Sequence, residues 1–387
     1  MVQQKTGTTL NIIPTQVGKR VAFLLPSLVG GGAERTVVKM LREMSAAGIE
    51  LDLVVASAHG LYLDQIPKTV RLIDLHARRV SEAVIPLSRY LRRERPSVII
   101  SNMAHLNTIV CLAKVLTRGR TAVICVEHNH VGAEQNGREN WVQRLAWWLY
   151  PSADAVVAVS QGVKESVEAS LKPMRGKVKV IFPPVVDEEL LAEAEAPVEH
   201  PWLRQEIPVF VAAGRLSPQK DFATLLDAFH QMRRHRQAHL LILGEGPCRG
   251  ALEAQVSALK LSEDVAMPGF AANPYAFMRH ASAFVLSSRH EGMPAVLIEA
   301  MACGCPVIST DCPSGPSEIL EGGRYGALVP VGDAASLASA MIQTLDAPIP
   351  AERLRRKAME FTTARATNAF LDLAEHLTNA ILTVPAR

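Results

Sequence analysis

The sequence predicts an α/β protein of two doubly wound domains, each a parallel sheet with helices on both faces. Three observations lead there. Short apolar runs of strand length alternate with helical patterns along most of the chain, as in a parallel sheet covered on both sides. The alternation runs twice, interrupted from Glu188 to Pro208 by acidic, Ala-rich and Pro-containing sequence. Finally, 387 residues are too many for one ordinary core.

The elements follow in order. Residues 1–18 are polar without an apolar signal core and read as a loose tail. Residues 19–187 form the first domain. Its first strand, Arg20 to Leu25, leads through Gly30, Gly31 and Gly32 into a helix from Ala33 to Ala47. Further strands are expected at Leu51 to Ala56, Val98 to Ile100, Ala122 to Val126 and Ala155 to Val159. Helical patterns lie at Val80 to Glu94, Leu106 to Leu116 and Glu139 to Tyr150, the first kinked or restarted by Pro86.

Residues 188–207 form the linker, and residues 208–358 the second domain. Its strands are Val209 to Ala213, Leu240 to Leu243, Val265 to Met267, Ala283 to Leu286, Val307 to Ser309 and Ala327 to Val329. Helices fall at Phe222 to Arg234 and Arg249 to Leu259. Residues 359–387 carry a last helix, Met359 to Leu382, with no strand after it; it is expected to pack back on the first domain.

With 48% hydrophobic and 20% charged residues, the chain is globular rather than disordered. No apolar run approaches the roughly 18 residues that span a bilayer. The six Cys show no zinc-ligand spacing, and buried reduced thiols of a cytosolic protein are expected. Charge is unevenly divided. Residues 1–187 hold 24 Lys and Arg against 15 Asp and Glu, a surplus of +9, whereas the remainder holds 17 against 23. A basic half points to an anionic surface or substrate meeting that half. No nucleic-acid motif or aromatic stacking pattern accompanies it, so an anionic lipid surface fits better than nucleic acid.

The richest segment runs from Ser288 to Ile308. Gly292 and Pro294 suit a turn opening a helix, which Gly304 and Pro306 end. Glu291 then lies at the helix N-terminus and Glu299 about a turn and a half inside, among apolar neighbours. Backbone N–H groups at such a terminus receive phosphate or hydroxyl-rich anions. Arg215 and Lys220 share the loop after the second domain's first strand and could clamp a diphosphate; alone they are equally ordinary solvated charges. The glycine run at Gly30 to Gly32 lacks the dinucleotide spacing and, taken alone, is equally a tight turn. No Walker-type motif and no D-x-D motif occur.

Together these segments resemble a family. Gly30 to Arg35, Gly214 to Asp221, Gly244 to Pro247 and the E-x7-E of Glu291 and Glu299 look like the retaining GT-B-fold glycosyltransferases, the group 1 or family 4 enzymes. The resemblance covers nearly all of the chain after Gly18 and includes enzymes of bacterial surface-polysaccharide assembly. It implies that Arg215 and Lys220 stabilise the departing diphosphate and that Glu299 accepts the ribose hydroxyls. It also implies that Glu291 faces the donor sugar beside Gly292, Met293, Pro294 and Ala295, with Gly31 and Gly32 approaching from the other domain. His128 matches the histidine that contacts the donor sugar, with His130 as its rival.

The expected activity is hexosyl transfer, with retention, from a nucleotide-diphosphate sugar, UDP-linked by the resemblance of Asp311 to Leu320. Neither cofactor nor metal is expected. The acceptor is expected to be a glycan or a polyprenyl-diphosphate-linked saccharide in cell-surface polysaccharide assembly, with the enzyme peripheral on the cytoplasmic face of the membrane. A small soluble acceptor and a non-catalytic nucleotide-sugar-binding protein are the alternatives. For membrane contact, Arg78, Arg79, Arg89, Arg92, Arg93 and Arg95 surround a segment whose apolar side is Leu87, Tyr90 and Leu91, as in a basic interfacial helix. Trp141, Trp147 and Trp148, flanked by Arg138 and Arg144, suit either an interface or the core.

Overall fold

The computed structural model describes residues 20–130 and 148–383. The first sheet comprises β1 (Val21–Leu25), β2 (Leu51–Val55), β3 (Arg71–Asp74), β4 (Val98–Ser101), β5 (Ala122–Glu127), β6 (Ala155–Ala158) and β7 (Val178–Val180). Their order is β3-β2-β1-β4-β5-β6-β7, all parallel. The second comprises β8 (Val209–Ala213), β9 (His239–Leu243), β10 (Val265–Gly269), β11 (Ala283–Leu286), β12 (Val307–Thr310) and β13 (Ala327–Val329), in the order β10-β9-β8-β11-β12-β13. This is the GT-B architecture. β3 and β7 have no counterpart in the sequence reading. Both are edge strands; Arg71 and Leu72 of β3 are exposed, and β7 has only three residues, one of them Lys179. Neither makes an apolar run.

Both faces of each sheet are covered, and central strands such as β1 and β8 are apolar throughout. In β8, Val209 and Val211 enter one core while Phe210 and Ala212 enter the core on the opposite face, the period of two of an extended chain. Strand order reverses between β1 and β4 and again between β8 and β11. Crevices at the carboxyl ends of such reversals are where ligands bind in open α/β sheets, and the loops after these strands line one cleft between the domains.

Two chain crossings join the domains side by side. The N–H groups of Val185 and Val186 both donate to the Phe361 carbonyl at 3.0 Å. Asp187 caps the short helix Glu188–Ala194, and Lys39, on helix Gly32–Ala46, reaches Asp187 at 2.8 Å and the Val185 carbonyl at 2.6 Å. After the second crossing, helix Thr363–Thr383 places Phe370, Leu371 and Ala374 in the first domain's core.

Leu87, Tyr90 and Leu91 do not offer an apolar side to a membrane; all three are buried. A 3-10 turn, Val80–Ala83, is followed by helix Val84–Glu94 with Pro86 in its first turn, and that helix lays its apolar face inward. The Tyr90 hydroxyl donates to Asp52 of β2 at 2.6 Å. Burying such side chains gains roughly 1.5–3 kcal/mol each, so the sheet claims the amphipathic face. Arg89, Arg92, Arg93 and Arg95 stay exposed on the other side. Trp141, Trp147, Arg138 and Arg144 lie outside the described residues, and Trp148 is exposed.

Candidate active site

The cleft encloses about 1660 Å³ and is lined by both domains. That exceeds the roughly 300–1,000 Å³ typical of a pocket for one small ligand and leaves room for two reactants.

On the second-domain side, the chain leaves β8 through Gly214 and Arg215 and enters the turn Pro218–Lys220. Asp221 then caps helix Phe222–Arg233 by accepting from the Thr224 N–H and, at 2.9 Å, from its hydroxyl. The loop is tied to the one after β11. The Arg289 N–H donates to the Gln219 carbonyl at 2.8 Å, and the Gln219 amide donates to the His290 carbonyl at 2.9 Å. Lys220 does not stand free. Its ammonium lies 2.6 Å from Glu291 Oε1, which also accepts from the Ser288 hydroxyl at 2.6 Å. Arg215 is exposed toward the cleft, and among the described residues its side chain has no hydrogen-bond or ion-pair partner.

Glu291 leads into the helix that carries Glu299. Pro294 caps helix Ala295–Ala302 in extended conformation, and both carboxylates are buried. The cleft wall includes Arg215 and Gly292 to Val296, so the start of this helix, with its free N–H groups, borders the same space as Arg215. Gly292 is needed for a close approach, since a β-carbon there would lie 1.6 Å from the His128 carbonyl oxygen of the other domain. Met293 packs against the cores of both domains.

The first-domain side is built by helix Gly32–Ala46 and the end of β5. At Gly31 a β-carbon would collide with the buried Glu34 carboxylate, whereas at Gly32 it would meet open cleft. The conflict at Gly31 is with the end of a flexible side chain, so packing requires glycine at neither position. Asn107 donates to the Val126 carbonyl at 3.0 Å and to Glu127 at 2.8 Å, and the Tyr150 hydroxyl donates to the same Glu127 oxygen. Burial pushes the Glu127 carboxyl up. This network fixes the strand end that leads to His128. Among the described residues the buried His128 Nε2 atom has no hydrogen-bond partner, and desolvation pushes the imidazole down to about 4. It is a neutral ring at neutral pH. His130 is engaged elsewhere, in a hydrogen bond with the Ser314 hydroxyl.

A second interdomain contact lies next to that bond. Both oxygens of Glu318 accept from the start of helix Gln161–Ser170, from the Gln161 N–H at 2.7 Å and the Gly162 N–H at 3.0 Å. Among the described residues no group of three or more His, Cys, Asp or Glu is placed to hold a metal ion.

Two family models cover most of this architecture. Residues 30–189 match the model described as Glycosyltransferase Family 4, and residues 207–347 match that of Glycosyl transferases group 1. The chain belongs to the family 4 glycosyltransferases. It is 27% identical over 353 residues to the Campylobacter jejuni N-acetylgalactosamine-N,N'-diacetylbacillosaminyl-diphospho-undecaprenol 4-alpha-N-acetylgalactosaminyltransferase, covering 87% of this chain and 92% of that one. It is 26% identical to the lipopolysaccharide core biosynthesis glycosyltransferase LpsE of Rhizobium meliloti, covering 89% and 95%. An uncharacterised glycosyltransferase of Methanocaldococcus jannaschii is 28% identical across 62% of each chain. Among solved structures, sucrose-phosphate synthase from Thermosynechococcus elongatus shares the fold with a TM-score of 0.79 at 21% identity, covering 94% of this chain and all of that one. Anabaena HepE in complex with UDP gives 0.70 at 21% identity, covering 94% and 98%.

In this glycosyltransferase the structure brings together, around one cleft, every site residue singled out in the sequence: Gly31, Gly32, His128, Arg215, Lys220, Glu291, Gly292, Met293, Pro294, Ala295 and Glu299 all line it. Sequence reasoning missed Arg35 as a site residue, together with Tyr275, Glu127 and Glu318. Arg35 stood inside a quoted motif, so position alone could have flagged it. Tyr275 gave no signal, because a tyrosine in an apolar helical stretch reads as core.

Proposed function

We propose that the enzyme transfers a hexosyl unit, with retention and without a metal, from a UDP-sugar to a glycan or polyprenyl-diphosphate-linked saccharide in cell-surface polysaccharide assembly. The observation that carries the reading is Arg215, a guanidinium with no partner among the described residues, which lines the same cleft as a helix N-terminus and the Lys220–Glu291 pair. Departure of a nucleoside diphosphate builds negative charge on the phosphate oxygens. A guanidinium, an ammonium held in place by Glu291 and a helix tip stabilise that charge as it develops. In this reading Glu299 takes the ribose, while Glu291 and the neutral His128 flank the sugar. HepE, solved with UDP, and the C. jejuni relative, named for a diphospho-undecaprenol acceptor, support the donor and acceptor classes.

Screening UDP- and GDP-sugars for nucleotide release in excess chelator tests this. Release from a UDP-sugar is expected. Turnover seen only after Mg²⁺ or Mn²⁺ is restored overturns the metal-free part, and no release from any donor overturns the whole. Peripheral placement on an anionic cytoplasmic membrane face belongs to the same proposal, carried by exposed Arg89, Arg92 and Arg93 beside exposed Val115 and Leu116. A soluble acceptor is the second reading, favoured by the burial of Leu87, Tyr90 and Leu91. Co-sedimentation with anionic vesicles at low salt separates the two.

A further inference from the structure

Glu299 is held on one oxygen by two groups from opposite domains. Tyr275, fully buried on helix Pro274–His280, directs its hydroxyl to Glu299 Oε1 at 3.3 Å. Arg35, in the first turns of helix Gly32–Ala46, places one guanidinium nitrogen 3.7 Å from the same Oε1 and hydrogen-bonds the Tyr275 hydroxyl with another. Its guanidinium carbon lies 5.3 Å from the Tyr275 ring centroid, within cation–π range. Burial, then the nearby Glu299 charge, pushes the Tyr275 phenol far up, so it remains a donor.

A carboxylate this enclosed is costly unless paired. Arg35 supplies the pairing charge across the cleft, and both contacts fall on Oε1. A carboxylate with one oxygen fixed by a guanidinium and a phenol turns its other oxygen in a single direction. Glu299 lines the cleft, and among the described residues its second oxygen accepts no hydrogen bond, which leaves it for a ligand hydroxyl.

We propose that Arg35 and Tyr275 are positioning residues for Glu299. They fix Oε1 so that the second oxygen meets a nucleotide ribose hydroxyl. Because Arg35 belongs to the first domain, the ribose subsite is complete only when the two domains meet. The proposal rests on the nucleotide-sugar reading above.

The test compares calorimetric affinities of the full-length chain for UDP, 2′-deoxy-UDP and 3′-deoxy-UDP. A site that hydrogen-bonds a hydroxyl rejects the analogue lacking it, so the parent should prefer UDP over at least one analogue by about tenfold or more. Glu299→Ala should bring that ratio close to one. Retention of the full ratio in Glu299→Ala removes the ribose assignment, and this proposal with it. If Glu299→Ala loses the ratio, Arg35→Ala and Tyr275→Phe decide the rest. Each should lower it about three- to tenfold, with partial rescue in Arg35→Lys. Variants that bind UDP more weakly yet keep the parental ratio, or that bind UDP more tightly, overturn the proposal. Tyr275→Phe keeps the shape of the core, so the test survives if Arg35→Ala fails to fold.

Discussion

The ammonium of Lys220 and the carboxylate of Glu291 form a 2.6 Å ion pair, with side-chain exposures of 18% and 8%. The pair joins the loop after β8 to the loop after β11, so the cation expected to grip a diphosphate is shared with the carboxylate expected to face the sugar. Glu291→Gln removes the carboxylate charge that competes with the diphosphate for Lys220. Affinity for UDP should rise roughly two- to fivefold, the scale of one modest charge pair, while turnover falls about 100-fold. Calorimetry and nucleotide release measure the two separately. A parallel loss of both would mean that the pair serves the fold alone.

Gly32 tests whether a ligand approaches the glycine run. A methyl group at Gly32 meets no protein atom within 4 Å, so Gly32→Ala should fold with unchanged or slightly higher thermal stability. Its turnover should fall at least tenfold, because the methyl group would enter the space reserved for substrate. Unchanged kinetics in Gly32→Ala would place the reactants elsewhere in the cleft.

The contact of Glu318 with the Gln161 and Gly162 N–H groups predicts a domain latch. A carboxylate at a helix N-terminus contributes about 1 kcal/mol. Glu318→Ala should therefore shift the molecule toward open forms about fivefold. Small-angle scattering should show a larger radius of gyration without nucleotide and recovery with UDP. Superimposable scattering curves for parent and variant would show that the contact does not hold the domains.

The half-buried His128 ring, its Nε2 atom enclosed, gives a pH dependence of defined sign. Its folded value of about 4 lies below the ordinary 6.5, so the unfolded chain takes the proton first as pH falls. Stability is then lost between about pH 6.5 and pH 4. Asn at this position removes the effect. The stability of His128→Asn relative to the parent should improve by roughly 2 kcal/mol between pH 7 and pH 4.5, measured by urea unfolding. A difference constant with pH would refute the desolvated imidazole.

What the sequence conveyed follows from what each element needs. Strands such as β1 and β8, buried on both faces, had to be continuous apolar runs and were legible. The edge strands β3 and β7 carry polar residues and were not. The loops after β8 and β11 were readable because charged residues interrupt otherwise apolar sequence there. Tyr275 and Glu318 act through partners 24 and 156 or more positions away, and no local pattern encodes such pairings. The helix Val84–Glu94 shows the converse limit: an amphipathic pattern states that one face is apolar, not whether a sheet or a lipid covers it.

The central claim is that the cations of the β8 loop hold a nucleoside diphosphate with no metal. It is tested most directly by titrating UDP, in excess chelator, into the parent protein and into the Arg215→Ala, Lys220→Ala double variant. The account predicts saturable binding to the parent and a loss of about 100-fold or more in the variant. Equal affinity of the two proteins, or no binding to the parent until a divalent ion is added, would contradict it.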